Sequence, residues 1–417
     1  MKKQLFIGNC SEVVAVKSDN GFPLRGKKQA ELIIISHGCV VVEDGIILDY
    51  GTETELLPLY GNFPYFDAKK NIIMPAFVDP HTHIVFAGTR EDEFLGRLKG
   101  EAYLATLHKG QGIFATTKAT KEASEEQLFQ SALQRIKLFQ KHGTVGLEIK
   151  SGYGLDLSTE IKMLRVINRL KQELKIPICR TFLAAHALPD NFKEKRKDYV
   201  DMICEEMIPT IVSEHLADCI DVFCEKGVFT AEESKKILAK GKEKGLLPKI
   251  HTDEFASIGG LLVASELDAI SADHLIMSKE NELIEISKKS TVAVILPGTS
   301  FALKMEDYSY SRKIIESNVP LAIGTDFNPG TCMCYSMQMM VELSVLKFGL
   351  SIEEAINGAT INAAFACGIN SETGSIEKGK RADLALYSVE SYKQLPYLWG
   401  VNKISSLFMN GESICFA

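Results

Sequence analysis

The chain has 417 residues, of which 46% are hydrophobic and 24% are charged. This composition is typical of a folded globular protein and excludes disordered and fibrous classes, and the formal net charge of −7 disfavours nucleic acid as a partner, because non-specific binding to nucleic acid needs a basic surface. The length accommodates one large domain and a smaller one, since an α/β barrel alone takes about 250 residues.

The cysteines and the N-terminus favour a cytoplasmic protein. The ten cysteines are scattered through apolar segments rather than spaced as a disulfide framework, and the Cys-Met-Cys run at 332–334 lacks the Cys-x-x-Cys spacing of zinc ribbons and redox motifs. Residues 1–9 contain only a short apolar run, so no signal peptide is visible. No apolar stretch reaches the roughly 18 residues of a membrane span. We therefore expect reduced thiols and no membrane partner.

Both ends of the chain show the pattern of short strands. Apolar runs separated by Gly, Asp and Asn occupy 5–7, 32–35, 40–42 and 46–48, and similar runs return at 379–387 and 404–411. These are strand and turn signals, and no helix is expected before residue 70. We predict one small β-sandwich built jointly from residues 1–70 and 371–417.

The central region, residues 71–370, alternates strands with amphipathic helices, which predicts parallel βα units. The predicted strands cover 73–83, 144–151, 178–186, 219–226, 248–255, 269–274, 292–299 and 321–328. Ser124, Thr230 and Ser351 are each followed three residues later by Gln or Glu, which is the capping-box signal of a helix start. The pattern predicts a (β/α)8 barrel of the TIM type, whose chemistry lies at the carboxyl ends of the strands.

Histidines and carboxylates follow five of these strand ends. They are His81 and His83 on the first strand, His186 on the third, His251 and Glu254 on the fifth, Asp273 and His274 on the sixth, and Asp326 and Asn328 on the eighth. A His-x-His pair is by itself more often structural than metal-binding, although its two side chains face the same way on a strand. The convergence of so many polar residues on one rim favours a site.

His81, His83, His251 and Asp326 offer three nitrogens and one oxygen, a ligand set suited to one divalent zinc or iron ion. Such an ion lowers the pKa of a bound water to about 7 and supplies hydroxide at neutral pH. Asp326 is the expected acceptor of the water proton. Its alternative role is to cap a helix after Gly330.

Two further residues are candidates for proton transfer and carbonyl polarisation. His274 could donate a hydrogen bond to a tetrahedral oxyanion, and Glu254 could move a proton to a leaving nitrogen. Glu254 could equally lie in the first turn of a helix, where the helix dipole favours an acid. Sequence spacing does not decide between these two interpretations.

Arg90 and Tyr153 are candidates for substrate binding. The Arg90 guanidinium matches a carboxylate geometrically and would suit a substrate that carries one. Alternatively, Arg90 pairs with Glu91 or Glu93 at the surface. Tyr153 lies in a glycine-flanked turn after the second strand and could cover the pocket.

Several motifs together resemble the amidohydrolase superfamily and, within it, the imidazolonepropionase family, over essentially the whole chain. The motifs are at 75–83, 86–90, 148–154, 181–186, 251–255 and 326–330. The Lys-Ser-Gly-Tyr-Gly and Asp-Phe-Asn-Pro-Gly segments are the most specific. The resemblance implies hydrolysis of the cyclic C–N bond of 4-imidazolone-5-propanoate to N-formimidoyl-L-glutamate in histidine degradation, by metal-activated hydroxide, in a cytoplasmic homodimer.

The resemblance also implies roles for individual residues. Carried over by motif, the metal ligands are His81, His83, His251 and Asp326, and the substrate contacts are Arg90, Tyr153, His186, Glu254, Asn328, Gly330 and Thr331, with Tyr103 as a further candidate. Many superfamily members hold two metals through a carboxylated lysine on the fourth strand. Here that strand ends in Cys224-Glu225-Lys226, so one metal is expected, and an approach of Glu225 or Cys224 to a second is left open.

Two other functions compete with this interpretation. One is a different amidohydrolase acting on a nitrogen heterocycle, such as a deaminase or a cyclic-amide hydrolase. The other is a non-catalytic barrel that binds small molecules, which would be expected to lack a ligand, whereas all four candidates are present.

Overall fold

The computed structural model describes residues 2–99 and 112–414. Seven strands precede the barrel: β1 (Gln4–Gly8), β2 (Glu12–Ala15), β3 (Ile33–Ser36), β4 (Gly38–Glu43), β5 (Ile46–Thr52), β6 (Tyr65–Asp67) and β7 (Ile72–Pro75). A helix, α1 (Glu53–Tyr60), and a 3-10 turn (Gly26–Ala30) lie among them. The expectation of no helix before residue 70 is wrong, and Thr52 and Glu55 form the capping box that begins α1.

Eight parallel strands form the barrel: β8 (Phe77–Asp79), β9 (Thr144–Lys150), β10 (Ile178–Ala185), β11 (Cys219–Cys224), β12 (Leu247–Thr252), β13 (Ser271–His274), β14 (Val292–Ile295) and β15 (Leu321–Ile323). They are neighbours in chain order, and each pairs in parallel with the next. Backbone hydrogen bonds from Asp326 N to His81 O (3.0 Å) and from His83 N to Phe327 O (2.9 Å) close the barrel at the rim. The predicted (β/α)8 barrel is confirmed.

The helices of the barrel region are α2 (Glu91–Leu98), α3 (Ile113–Glu122), α4 (Glu125–Lys141), α5 (Leu157–Leu174), α6 (Arg196–Met202), α7 (Ile208–Ser213), α8 (Ala231–Glu243), α9 (Gly260–Glu266), α10 (Glu280–Ile286), α11 (Pro297–Ala302), α12 (Tyr310–Glu316), α13 (Met337–Leu346), α14 (Ile352–Gly358) and α15 (Ile361–Ala366). The capping boxes predicted at Ser124, Thr230 and Ser351 start α4, α8 and α14. A π-helical segment, Ile203–Met207, joins α6 to α7. Among the described helices, none is long and apolar enough to cross a membrane.

The chain ends build two further sheets that face each other. After the barrel come β16 (Leu384–Tyr387), a short helix α16 (Gln394–Tyr397), β17 (Ile404–Met409) and β18 (Glu412–Ile414). One sheet has the order β5-β4-β1-β6 and the other β18-β17-β16-β7-β2-β3. Val40 from the first sheet and Ile73, Leu384 and Phe408 from the second share one buried apolar cluster. The predicted sandwich built from both chain ends is therefore present.

The single strand predicted over 73–83 is in fact two strands in different sheets. β7 pairs antiparallel with β16 in the sandwich, whereas β8 pairs with β9 in the barrel. Ala76 connects them and donates its backbone N–H to Asp383 O at 3.0 Å. Residues 72–79 are all buried, both before and after the chain passes from one sheet to the other. The apolar pattern of the sequence therefore does not reveal where one strand ends and the next begins.

Candidate active site

The barrel rim gathers five histidines and Asp326 into one buried cluster. His81 and His83 follow β8, His186 follows β10, His251 and His274 end β12 and β13, and Asp326 follows β15. Ring centroids lie 4.4 Å apart for His81 and His251, 5.0 Å for His83 and His186, and 5.4 Å for His251 and His274. The carboxyl ends of the parallel strands thus bring together residues that are up to 245 positions apart in the chain (326 − 81).

Two overlapping groups of side chains in this cluster have ligand atoms close enough to hold a metal ion. They are His81, His83 and Asp326, and His81, His251 and His274, each with its ligand atoms within 4.8 Å of one another. Asp326 Oδ1 lies 3.5 Å from Nε2 of both His81 and His83. All four ligands predicted from sequence belong to these groups. His274, predicted as a catalytic residue, belongs to one of them as well.

The donor atoms fit a metal ion. Among the described residues, Nε2 of His81 and both ring nitrogens of His251 are buried and have no hydrogen-bond partner, a state that native proteins rarely leave unexplained. Burial lowers the pKa of His81 and of His83 well below the usual value, and nearby positive groups lower it further. Both imidazoles are therefore neutral and have a lone pair to donate, as metal ligands must.

A buried carboxylate lies beside one ring nitrogen of each of two of these histidines, as a hydrogen-bond partner of His81 and at ion-pair distance from His251. His81 Nδ1 lies 2.6 Å from Asp273 Oδ2, and His251 Nδ1 lies 3.0 Å from Asp221 Oδ2. A carboxylate on one ring nitrogen holds the proton there and leaves the other nitrogen for a metal. Burial opposes ionisation of Asp221, but the positive groups beside it lower its pKa well below the usual value.

One buried lysine links these carboxylates. Lys150 Nζ lies 2.8 Å from Glu148 Oε1, 2.8 Å from Asp221 Oδ2 and 3.7 Å from Asp273 Oδ2, and all four side chains are fully buried. Burial alone would lower the pKa of Lys150, but Asp221, Glu148 and Asp273 raise it well above the usual value. Sequence reasoning missed the roles of Lys150 and Asp221. The available signal was the presence of charged residues in strands that are otherwise apolar.

The fourth barrel strand offers no lysine to the site. Lys226 is exposed, and Glu225 accepts the backbone N–H groups of Phe255 (3.0 Å) and Lys226 (2.8 Å). Neither Glu225 nor Cys224 belongs to the two described groups that could hold a metal. The strand contributes Asp221 instead.

Asp326 is held in the site rather than at a helix start. Thr299 Oγ1 donates a hydrogen bond to Asp326 Oδ2 at 2.7 Å, and the next described helix after Asp326 begins only at Met337. Burial raises the pKa of Asp326 to about 6. The helix-cap alternative is therefore wrong. Thr299 is a site residue that the sequence analysis missed: it predicted a strand up to residue 299, whereas Thr299 lies in α11, and a lone threonine there gives no signal of a site.

Glu254 also lies in the site. The helix that follows it, α9, begins at Gly260, so Glu254 is not in a first helical turn, and its Oε1 lies 3.8 Å from His274 Nδ1. Burial, together with the negative charges of Asp326 and Glu225, raises the pKa of Glu254 well above the usual value. A carboxyl group whose pKa is raised keeps its proton to higher pH than an ordinary glutamate, which suits it to general acid catalysis.

Arg90 pairs with Glu93, as one of the two interpretations predicted, but the pair is buried and not at the surface, and the binding of a substrate carboxylate by Arg90 stays a prediction. It is 8% exposed and donates to Glu93 through Nε (2.8 Å to Oε2) and Nη2 (2.7 Å to Oε1). It also lines the small cavity that contains His83, His251 and Glu254. A neighbouring cavity of about 640 Å³ shares Arg90 with it and contains none of the clustered histidines.

A second arginine reinforces this end of the pocket. Arg97 Nη1 donates to Gly330 O at 2.6 Å and lies 3.5 Å from Glu93 Oε1. Glu93 therefore lies between the two guanidinium groups, and Arg97 ties them to the loop that carries Gly330.

Tyr153 and His186 form the wall next to His83. Their ring centroids lie 5.7 Å and 5.0 Å from that of His83. The Glu160 carboxylate holds the turn by accepting backbone N–H groups from Gly154 (2.8 Å) and two neighbours. His186 Nδ1 lies 3.0 Å from Gly152 O. Tyr103, also a candidate, lies outside the described residues.

Asn328 organises the loop that carries Gly330 and Thr331. Its Oδ1 accepts the backbone N–H groups of both residues at 2.8 Å, and its Nδ2 donates to Asp326 O and to Thr331 Oγ1 at 2.7 Å. Asn328 and Thr331 line the site cavity, whereas Gly330 packs against Arg90 in the neighbouring one. The predicted substrate contacts other than Gly330 thus line one pocket, and the roles of all of them stay predictions.

Known proteins are similar to this chain over almost its whole length. The model of the amidohydrolase family matches residues 72–414. A protein named imidazolonepropionase from Clostridium tetani is 42% identical over 417 residues, with 99% of each chain covered. Another protein of that name, from Geobacillus thermodenitrificans, is 41% identical over 99% of this chain and 98% of its own length.

Solved structures support the fold. The structure of an adenosine deaminase from Xanthomonas campestris with bound zinc superposes with a TM-score of 0.73, covering 98% of this chain and 92% of that one. At 15% identity, this likeness establishes the fold alone. The identity of about 40% to the imidazolonepropionases over the full length is a much closer relation. The chain therefore belongs to the amidohydrolase family and, within it, to the imidazolonepropionases.

Proposed function

We propose that this protein hydrolyses the ring of 4-imidazolone-5-propanoate to give N-formimidoyl-L-glutamate, a step in histidine degradation. The observation that supports this most strongly is that side chains able to hold a metal ion lie next to an arginine in one pocket. His81, His83 and Asp326 converge beside a pocket that Arg90 lines. The histidines and Asp326 suit the activation of water by a bound metal, and Arg90 suits the propionate carboxylate of this substrate.

The chain would hold one divalent metal through His81, His83, His251 and Asp326, and zinc or iron suits this set of nitrogen and oxygen donors. When bound, the ion supplies a water activated for attack at neutral pH. The neutral histidines and their buried carboxylate partners support this assignment.

The remaining groups move protons and orient the substrate. Asp326 accepts a proton from the attacking water at a carboxylate oxygen, which Thr299 keeps oriented through its hydrogen bond. His274, neutral because burial lowers its pKa well below the usual value, donates a ring N–H to the carbonyl oxygen as negative charge develops there. Glu254 delivers its proton to the ring nitrogen as the C–N bond breaks, and the carbonyl carbon becomes the new carboxylate.

Arg90 binds the propionate end. Glu93 holds Arg90 in the pocket wall next to Arg97, and the planar Arg90 guanidinium is the group that pairs with the substrate carboxylate. Tyr153 and His186 pack along the ring, and Asn328 with Thr331 closes the opposite side. A substrate without the carboxylate would lose its anchor at this end.

Product analysis tests the proposal. The purified protein should convert imidazolonepropanoate to N-formimidoyl-L-glutamate without releasing ammonia, and chelation should abolish turnover until zinc or iron is returned. His81→Ala should be inactive because one ligand is lost. Ammonia release would indicate a deaminase instead, and turnover unaffected by chelation or by His81→Ala would refute the metal-dependent hydrolase.

We further propose that the protein acts in the cytoplasm as a homodimer. All nine described cysteines are free thiols, which suits a reducing compartment. The dimer is the assembly expected from the family resemblance. Analytical ultracentrifugation should give twice the 46.1 kDa chain mass, and a species of one chain mass at micromolar concentration would contradict it.

A further inference from the structure

The barrel interior below the histidine cluster contains a group of buried charges that the proposed reaction does not use. It consists of Glu148 and Lys150 on β9, Asp221 on β11 and Asp273 on β13, and each of these side chains has no exposed surface. Burying four charged groups is costly unless they are paired. The contacts of this cluster suggest a function for it, because they lead to the histidines of the site.

Two arms run from the ammonium group to the candidate metal ligands. One leads from Lys150 Nζ through Asp221 Oδ2 (2.8 Å) to His251 Nδ1 (3.0 Å). The other leads through Asp273 Oδ2 (3.7 Å) to His81 Nδ1 (2.6 Å). His81 and His251 come from different strands, and their rings are 4.4 Å apart. The Lys150 ammonium group therefore hydrogen-bonds Asp221 and lies within ion-pair distance of Asp273, the two carboxylates beside these rings.

Glu148 connects the same cation to the first strand. Its Oε1 accepts from Lys150 Nζ at 2.8 Å, and its Oε2 accepts the backbone N–H of Thr82 at 3.2 Å. Thr82 lies between His81 and His83, and its Oγ1 donates to Glu148 O at 2.5 Å. The backbone of the His-x-His segment is thus tied to the cluster as well.

We propose that Lys150 is a positioning residue for the metal centre: its ammonium group holds Asp221 and Asp273 where they fix the rings of His251 and His81 with Nε2 directed at the ion. Without this cation, three buried carboxylates would repel one another and shift. The histidines would then lose their orientation. This inference rests on the metal centre proposed above.

Metal affinity tests the role of Lys150 without relying on turnover. We would remove the metal and titrate the protein with Co²⁺, following the visible absorption and competition with a chelator. Lys150→Met removes the charge at similar volume and should weaken Co²⁺ binding about 10- to 100-fold, the usual cost of losing a partner that orients a ligand. The Co²⁺ spectrum should also change, because the histidine geometry changes.

Lys403→Met is the matched control. Lys403 is also a buried lysine, 3% exposed, and it pairs with Glu342 at 2.7 Å away from the site. This variant should lose thermal stability but bind Co²⁺ as the wild type does. A folded Lys150→Met protein with wild-type affinity and spectrum would overturn the role of Lys150. If the wild type itself bound no Co²⁺, the proposed metal centre would fail instead.

A second measurement covers the case in which Lys150→Met does not fold. Asp221→Asn and Asp273→Asn each keep the lysine and each weaken one arm. Because one ammonium links the two arms, the loss of Co²⁺ affinity in the double variant should differ from the product of the two single losses. Losses that multiply would mean that the arms are independent, and the proposal would be wrong.

Discussion

Gly330→Ala offers a sharp test of how the carboxylate end of the pocket works. A Cβ at this glycine would lie 2.5 Å from Nη1, 2.8 Å from Cζ and 3.0 Å from Nη2 of Arg90. Gly330 is not among the glycines with positive φ, so alanine fits its backbone without strain. The substitution therefore acts mainly by pushing the guanidinium aside.

The size of the effect follows from this geometry. Carbon atoms pack at about 3.5 Å or more, so the guanidinium must move by roughly 1 Å. A misplacement of about 1 Å in a positioning group can lower the rate about 100-fold, or about 2.7 kcal/mol, which lies within the range of about 1.5–3 kcal/mol for a hydrogen bond to a charged group. We expect kcat/KM to fall by this factor and the metal content to stay unchanged.

Steady-state kinetics with imidazolonepropanoate would measure the effect. The double variant Gly330→Ala, Arg90→Met should be no worse than Arg90→Met alone, because both changes remove the same contact. Gly51→Ala is the control, since its Cβ would meet Leu56 Cδ1 at an ordinary 3.4 Å. A folded Gly330→Ala enzyme with wild-type kcat/KM would refute a role for Arg90 in substrate binding.

Other substitutions probe the remaining parts of the site. Thr299→Val removes the 2.7 Å hydrogen bond to Asp326 and should lower kcat about 10-fold or more in stopped-flow or steady-state assays. An unchanged kcat would contradict the role of Thr299. Burial raises the pKa of Glu254 well above the usual value, so activity should fall as pH rises through that pKa. Glu254→Gln should be slow and should lack this fall in its pH–rate profile, and a variant whose profile keeps the fall would show that another group causes it. Thr325→Val removes the 2.6 Å hydrogen bond to the buried Asp79 at the barrel closure and should lower the free energy of unfolding, measured by urea denaturation, by about 1–3 kcal/mol. An unchanged urea midpoint would show that this contact does not stabilise the barrel.

The sequence predicted the barrel and the positions of its candidate ligands because both follow from local patterns. Buried parallel strands appear in a sequence as apolar runs. The residue that follows such a run lies at the rim formed by the carboxyl ends of the barrel strands, however the core is packed. His81, His251 and Asp326 could therefore be placed together without knowing any distance. The change of sheet at Ala76 could not be predicted, because both segments beside it are equally apolar.

The partners of the ligands were harder to predict. Lys150 and Asp221 are 71 residues apart in the chain, and only the folded barrel shows that they are in contact. Thr299 lies in α11 after β14 and donates a hydrogen bond to Asp326 after the neighbouring β15, and nothing in the sequence around it indicates this contact. Such pairings depend on tertiary structure, so a single sequence has no pattern that reveals them.

The most direct measurement is turnover as a function of bound metal. Metal-free protein would be titrated with zinc or iron, and formation of N-formimidoyl-L-glutamate from imidazolonepropanoate would be measured at each ratio. The proposed site predicts that activity rises linearly and reaches a plateau at one ion per chain. Full activity without metal, or a plateau only at two ions per chain, would contradict a single metal centre formed by His81, His83, His251 and Asp326.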